Sequence, residues 1–212
     1  MERSAVFMPF DAALYAAAGY LLGSILFAQC FGQLFHKKDM LENSPDKNPG
    51  TYNAFRYGGF LCGWLTLCCD LLKGFLPVHL FLRAFPSAYS SDSLAFVMAA
   101  PVLGHIAPVF FRFRGGKGVA VTFGCLLGLL PFRLPLMILA GAFLFFSLVV
   151  KISPNYYRTL FTYLCSAVLM WLAVPLFPVK LGFLLICGAV ACRLLRSREQ
   201  KEKCRVEVAW KH

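Results

Sequence analysis

"VAVTFGCLLGLLPFRLPLMILAGAFLFFSLVV", residues 119 to 150, decides how this chain is built. Arg133 is the only charge in it. A membrane helix needs about 20 apolar residues to cross ~30 Å of hydrocarbon, and this run is well over that length. Pro131 and Pro135 stand on either side of Arg133, and proline ends or kinks a helix because it lacks an N–H. The run therefore reads as two short helices, 119–131 and 134–150. At about 1.5 Å per residue, the first covers only roughly 20 Å. Either it leans on neighbours, or the loop before it dips below the membrane surface.

Five more uncharged or nearly uncharged runs lie outward from this one, at 12–35, 58–82, 93–111, 160–176 and 179–195. That makes seven apolar segments. Apolar residues form 59% of the 212 positions and charged residues 15%, against nearer a half and a quarter in soluble domains. The predicted fold is an all-α polytopic membrane protein, a bundle of seven transmembrane helices, some of them short. One membrane domain, 1–212, carries a basic tail over 193–212. The first run has no basic flank beyond Arg3 and continues past the length of a signal h-region, so it is expected to stay in the membrane uncleaved.

Charge supports that count. With seven spans, one side holds four cations: Arg3, Arg83, Arg133 and Lys180. The other holds sixteen, from Lys37, Lys38 and Lys47 through Arg112, Arg114, Lys117, Lys151 and Arg158 to the tail, and Lys73 inside a span completes the 21. Lys and Arg collect in cytoplasmic loops, so the N-terminus is expected outside and the C-terminus in the cytoplasm. The net charge of +11 then faces anionic lipid and needs no nucleic acid. The nine cysteines lie mostly within apolar segments without a CxxC pair. They read as small helix residues, not as a disulfide framework or metal site.

Two loops on the more basic side carry the chemistry. One is "DKNPGTYNAFRYGG", 46–59; the other is "RFRGGKGVA", 112–120. Gly115, Gly116 and Gly118 let backbone N–H groups approach an anion, and Lys117 adds a point charge. The helix starting near Val119 directs its positive end at the same place. Arg56 can grip two phosphate oxygens at once, with Asn48 and Asn53 as amide donors. The loops read as a phosphate cradle, or else as ordinary turns carrying positive-inside charge. They are not a Walker loop, since Phe111 and Gly118 occupy the places of its first Gly and its Ser or Thr. Asp70 and Lys73 sit three apart on one helical face within a span and read as a structural ion pair.

Taken together, "YLLGSILF" (20–27), "NPGTYNAFR" (48–56), "DLLKGFLPV" (70–78) and "GHIAPVFFRFRGGKGVA" (104–120) resemble the bacterial membrane glycerol-3-phosphate acyltransferases of the PlsY type. The resemblance runs over most of the chain. It implies seven spans in the plasma membrane and an active site facing the cytoplasm. It also implies transfer of an acyl group from acyl phosphate to the 1-hydroxyl of glycerol 3-phosphate, giving lysophosphatidic acid for phospholipid synthesis. No cofactor or metal is expected, and no general base can be named. By matched positions, Arg56 and Lys117 would hold substrate phosphate, helped by Gly115, Gly116, Gly118 and Asn53. His105, Asp46, Lys47, Ser153 and Glu199 are expected to neighbour the site.

The chain also departs from the family pattern. Asp46 and Lys47 replace a Ser-Gly pair, and an Asp there repels phosphate unless Lys47 or Arg56 neutralises it. Tyr52 replaces a Thr. "KISPNYYRTLF" brings Pro154 and an added Arg158, with Ser153 as the candidate for the family serine, and Ser197 and Gln200 stand for a His and an Asn. Three readings stay open. They are a working acyltransferase, a non-catalytic paralogue binding a phosphorylated metabolite or lipid, and a small transporter, for which only Asp70 and Lys73 supply mid-span charge.

Overall fold

The computed structural model describes residues 8–37, 40–197 and 203–208. Among them, nine α-helices follow in order. They are α1 (Pro9–Gly23), α2 (Phe27–Leu34), α3 (Thr51–Gly58), α4 (Phe60–Ala84), α5 (Ser93–Ile106), α6 (Val119–Leu127), α7 (Leu134–Leu144), α8 (Asn155–Ala173) and α9 (Phe177–Leu195). Four helical stretches are long and apolar enough to cross a membrane: Pro9–Leu34, Phe60–Ala84, Ser93–Phe111 and Phe177–Leu195. Phe10, Phe60 and Leu172 are 76%, 76% and 77% exposed. Such side chains would be a liability in water but suit lipid. The protein is a helical integral membrane protein.

The first apolar run is not one helix. It breaks after Gly23 and resumes at Phe27. At the break, Ser24 Oγ donates back to Tyr20 O at 2.8 Å, a bond that competes with the helical ladder. The break leaves Ile25 O to accept from Lys73 Nζ at 2.6 Å.

The 119–150 run divides at the prolines as expected, but both halves are shorter. α6 ends at Leu127, where Leu129 and Leu130 bond back three residues to Leu126 and Leu127 at 3.2 and 3.1 Å, the tightening that closes a helix. α7 ends at Leu144, and Phe145–Val149 widens into a π turn. At nine and eleven residues, α6 and α7 reach only about 14 and 17 Å.

An all-α fold needs one correction. Val150–Ser153 (β1) pairs antiparallel with Arg205–Val208 (β2), Lys151 opposite Glu207. Their β-branched residues suit a strand. Part of the basic tail therefore folds back onto the segment before α8.

The core runs through Val78, Phe81, Met98, Leu126, Leu139, Tyr163, Phe183 and Ile186. Close backbone approach makes this packing possible. A Cβ at Gly124 would strike Leu71 O, one at Gly74 would strike Val121 O, and one at Gly23 would strike Pro101 O. Small residues at crossings are how helices associate in lipid, where no hydrophobic force separates them from the solvent. A smaller cluster, Ala28, Met40, Ala54 and Cys62, anchors the loop before α3.

Candidate functional site

A cavity of about 750 Å³ opens where the loop at 45–53, the start of α6 and the start of α8 converge. Arg56, Lys117 and Arg158 bring cations to its wall; Asp46, Asn48, Thr51, Asn53, Ser153 and Asn155 bring polar groups. Asp70 and His105 reach it from α4 and α5, and Leu67, Phe123 and Phe143 line an apolar side. The two loops singled out in the sequence thus meet at one site.

Asp46 organises that site. Its Oδ1 accepts from Asn53 Nδ2 at 2.7 Å and from the Asn48 backbone N–H at 3.3 Å. Its Oδ2 lies 3.0 Å from Lys117 Nζ. Burial alone would push this carboxyl up. The Asn53 hydrogen bond and the Lys117 charge outweigh burial and hold it below its ordinary value. The expectation that Lys47 or Arg56 neutralises Asp46 is therefore corrected, because Lys117 does so. Lys47, with its backbone in the left-handed region at φ 48°, lines a neighbouring cavity instead. Asn53 also donates to Asn48 O at 2.8 Å. Asn48 Oδ1 is buried without a hydrogen-bond partner among the described residues.

The glycines act differently from the anion nest read in the sequence. Gly115 N–H donates to Ile106 O at 3.2 Å and Gly116 N–H to His105 O at 3.0 Å, so both amides are satisfied within the protein. They allow the loop to lie flat on α5, since a Cβ at Gly116 would overlap His105 Nε2. Gly118, at φ 83°, caps α6 and lines the cavity with Val119 and Ala120. The helix start does face the site.

Beneath the cavity, Lys73 Nζ lies 2.9 Å from Asp70 Oδ1. It also donates to His105 Nδ1 at 2.9 Å, besides its bond to Ile25 O. Thr51 Oγ1 donates to Asp70 Oδ2 at 3.5 Å. The ion pair read from the sequence is present, with His105 as a third member. That contact was not legible, because His105 lies on another helix.

Ser153 stands in the wall at the end of β1. Glu199 lies outside the described residues. Sequence reasoning placed Arg193 in the tail; in the fold its Nη2 donates to Gly115 O at 2.9 Å and fixes the glycine loop. It also missed Thr51 and Asn155 as wall residues, and neither position carries a signal of its own.

A family model described as "Glycerol-3-phosphate acyltransferase" matches residues 13–204. The chain belongs to this family. A glycerol-3-phosphate acyltransferase of Janthinobacterium sp. (strain Marseille) is 40% identical over 159 residues, 70% of this chain and 78% of that protein. One from Legionella pneumophila (strain Philadelphia 1) is 48% identical over 111 residues, 51% of this chain and 38% of that protein. For the Actinobacillus pleuropneumoniae relatives the match covers 54% of the relative's length. Crystal structures of the integral membrane glycerol 3-phosphate acyltransferase PlsY superpose with TM-scores of 0.72 (lysophosphatidic acid form) and 0.71 (glycerol 3-phosphate form). They are 28% and 29% identical, and each pair covers 86% of this chain and 87% of that chain. The acyltransferase family member described here thus shares its fold and most of its length with PlsY.

Proposed function

We propose that this protein transfers a fatty acyl group from acyl phosphate to the 1-hydroxyl of glycerol 3-phosphate. The products are lysophosphatidic acid and inorganic phosphate, for phospholipid synthesis in a bacterial plasma membrane. One observation carries the reading: three cations and a set of amide and hydroxyl groups share a cavity with an apolar wall. That suits two phosphorylated reactants, one bearing a fatty chain. The hydroxyl oxygen bonds to the acyl carbon, the bond from acyl carbon to phosphate oxygen breaks, and the hydroxyl proton is accounted for on the released hydrogen phosphate. The leaving group is already good, so positioning and charge neutralisation can supply much of the rate. Arg56 and Lys117 stand in the wall that would hold phosphate, and Asn53, whose amide donates to Asp46 and to Asn48 O, would shape that wall. The cavity opens to the cytoplasm in a seven-span chain.

A second reading, a paralogue that binds a phosphorylated metabolite or lipid without turnover, is favoured by the Asp46–Lys117 pair, which occupies a predicted phosphate cation. The test is purified protein in detergent with palmitoyl phosphate and glycerol 3-phosphate. Phosphate release and lysophosphatidic acid are followed by mass spectrometry, with Lys117→Ala as control. Product that falls with Lys117→Ala is the expected result. Binding of glycerol 3-phosphate without product would replace the catalytic reading by the second.

A further inference from the structure

The charges around the cavity do not fall where the glycine-lysine loop would put them. Lys117 faces Asp46 at 3.0 Å, and that carboxylate is held in place by Asn53 and Asn48. A phosphate dianion approaching Lys117 meets a fixed carboxylate. Lys73 is likewise closed against Asp70 at 2.9 Å. Among the described residues no carboxylate lies at ion-pair distance from Arg56 or Arg158, so these two arginines supply the net positive charge of the wall.

Arg158 is built into the site. It sits on the first turn of α8, half-buried, in the wall formed by Ser153, Asn155 and Thr159. Its Nη2 donates to Asn155 Oδ1, a neutral partner that orients the guanidinium without cancelling its charge. The remaining N–H groups keep the planar fork that matches a phosphate.

Resting on the acyl-transfer reading for which substrates are present, we propose that Arg158 and Arg56 form the main phosphate subsite of this chain. Asp46 is then the residue that moves binding there, by setting a fixed carboxylate beside Lys117. The ligand is a phosphate monoester dianion, that of glycerol 3-phosphate or of the acyl phosphate.

Four variants of the full chain test this: Arg158→Gln, Arg158→Lys, Asp46→Asn and the double Asp46→Asn/Arg158→Gln. Arg158→Gln should raise KM for one phosphate substrate about tenfold or more, as losing a charged hydrogen-bond partner does, while kcat moves less. The substrate whose KM moves identifies the source of the phosphate. Arg158→Lys should recover part of the loss. In the Asp46→Asn background the fixed negative charge beside Lys117 is gone, so phosphate can approach that side of the wall and Arg158→Gln should cost only a few-fold. An equal loss in both backgrounds would assign Arg158 to packing of α8 and overturn the proposal.

Equilibrium binding of radiolabelled glycerol 3-phosphate and of inorganic phosphate separates this from the catalytic reading. Wild-type binding that Arg158→Gln weakens, without turnover, would sink the catalytic reading and leave the subsite standing. Binding equally tight in Arg158→Gln would sink the subsite whatever the turnover. If wild-type protein binds neither probe, both fall.

Discussion

Gly116 has no room for a side chain. Its Cα lies against the His105 ring, and a Cβ would overlap Nε2, while Nδ1 of the same ring is tied to Lys73 at 2.9 Å. The ring cannot retreat without breaking that bond. Gly116→Ala should therefore cost about 1–3 kcal/mol of stability, the range for overpacking. The drop would be read as a lower melting temperature in detergent, and an unchanged melt would mean the loop simply lifts off α5. Asp46 makes a pH prediction. Its folded value lies below the ordinary 3.8, so the stability it contributes is complete above 3.8. That stability is lost only as pH falls through the lower folded value. The melting difference between wild type and Asp46→Asn should be flat from about pH 5 to 8 and shrink in stronger acid. A difference that changes between pH 6 and 8 would assign the titration to another group. At this scale the sequence singled out charges that line the cavity but not their partners. Lys117 and Arg56 were legible because glycine and asparagine surround them. The Asp46–Lys117 contact was not, because 71 positions separate the two residues, and Arg56 and Lys47 were nearer in the chain.

Element boundaries followed the apolar runs except where a local hydrogen bond or a distant partner intervened. The break between α1 and α2 is such a case. Nothing in "YLLGSILF" forbids a continuous helix, yet Ile25 O is needed by Lys73. Lys73 thereby joins three elements, through Ile25 before α2, Asp70 on α4 and His105 on α5. Lys73→Met would leave the Asp70 carboxylate buried without its cation, a change that costs about 3–5 kcal/mol in buried pairs. Removing both charges, as Asp70→Asn with Lys73→Met, should recover part of that loss. Melting curves of the two variants compare the outcomes, and a double variant worse than the single would show that the ion pair is not the tie. The crossing of α4 and α6 gives a second test at this scale. Gly124 lies against Leu71 O and Gly74, so Gly124→Val should force the helices apart and lower the yield of monodisperse protein in detergent. The strand pair β1–β2 was not legible at all. Its four-residue segments are too short for an alternating pattern to stand out beside long apolar helices.

Four contacts fix the path of the chain as a whole. Asp46 meets Lys117, Arg193 meets Gly115 O, and β1 pairs with β2. Lys117, Ser153 and Arg158 share one cavity. The loops before α3, before α6, before α8 and after α9 therefore gather at one end of the bundle. A chain that leaves one end and returns to it crosses an even number of times. We propose that α4 and α5 form an outward and a return leg, as do α8 and α9, and that α6 and α7 pair in the same way although each is too short to cross ~30 Å unaided. Among the described residues the Pro9–Leu34 stretch lies ahead of these pairs, as the seven-span proposal requires. Under that proposal the sequence assigns sixteen of the 21 Lys and Arg residues to the side of these loops and four to the other, and positive-inside bias would then put the loops in the cytoplasm. The charge count can be made from the sequence alone; which loops touch cannot, because it depends on the fold. The prediction is that green fluorescent protein fused after His212 fluoresces in bacterial cells, whereas alkaline phosphatase fused after Arg133 in the α6–α7 turn is active outside the membrane. The reverse pattern would invert the orientation and place the cavity outside. Both fusions on the same side would contradict the pairing of α6 with α7 and require the short helices to form a re-entrant hairpin that never crosses.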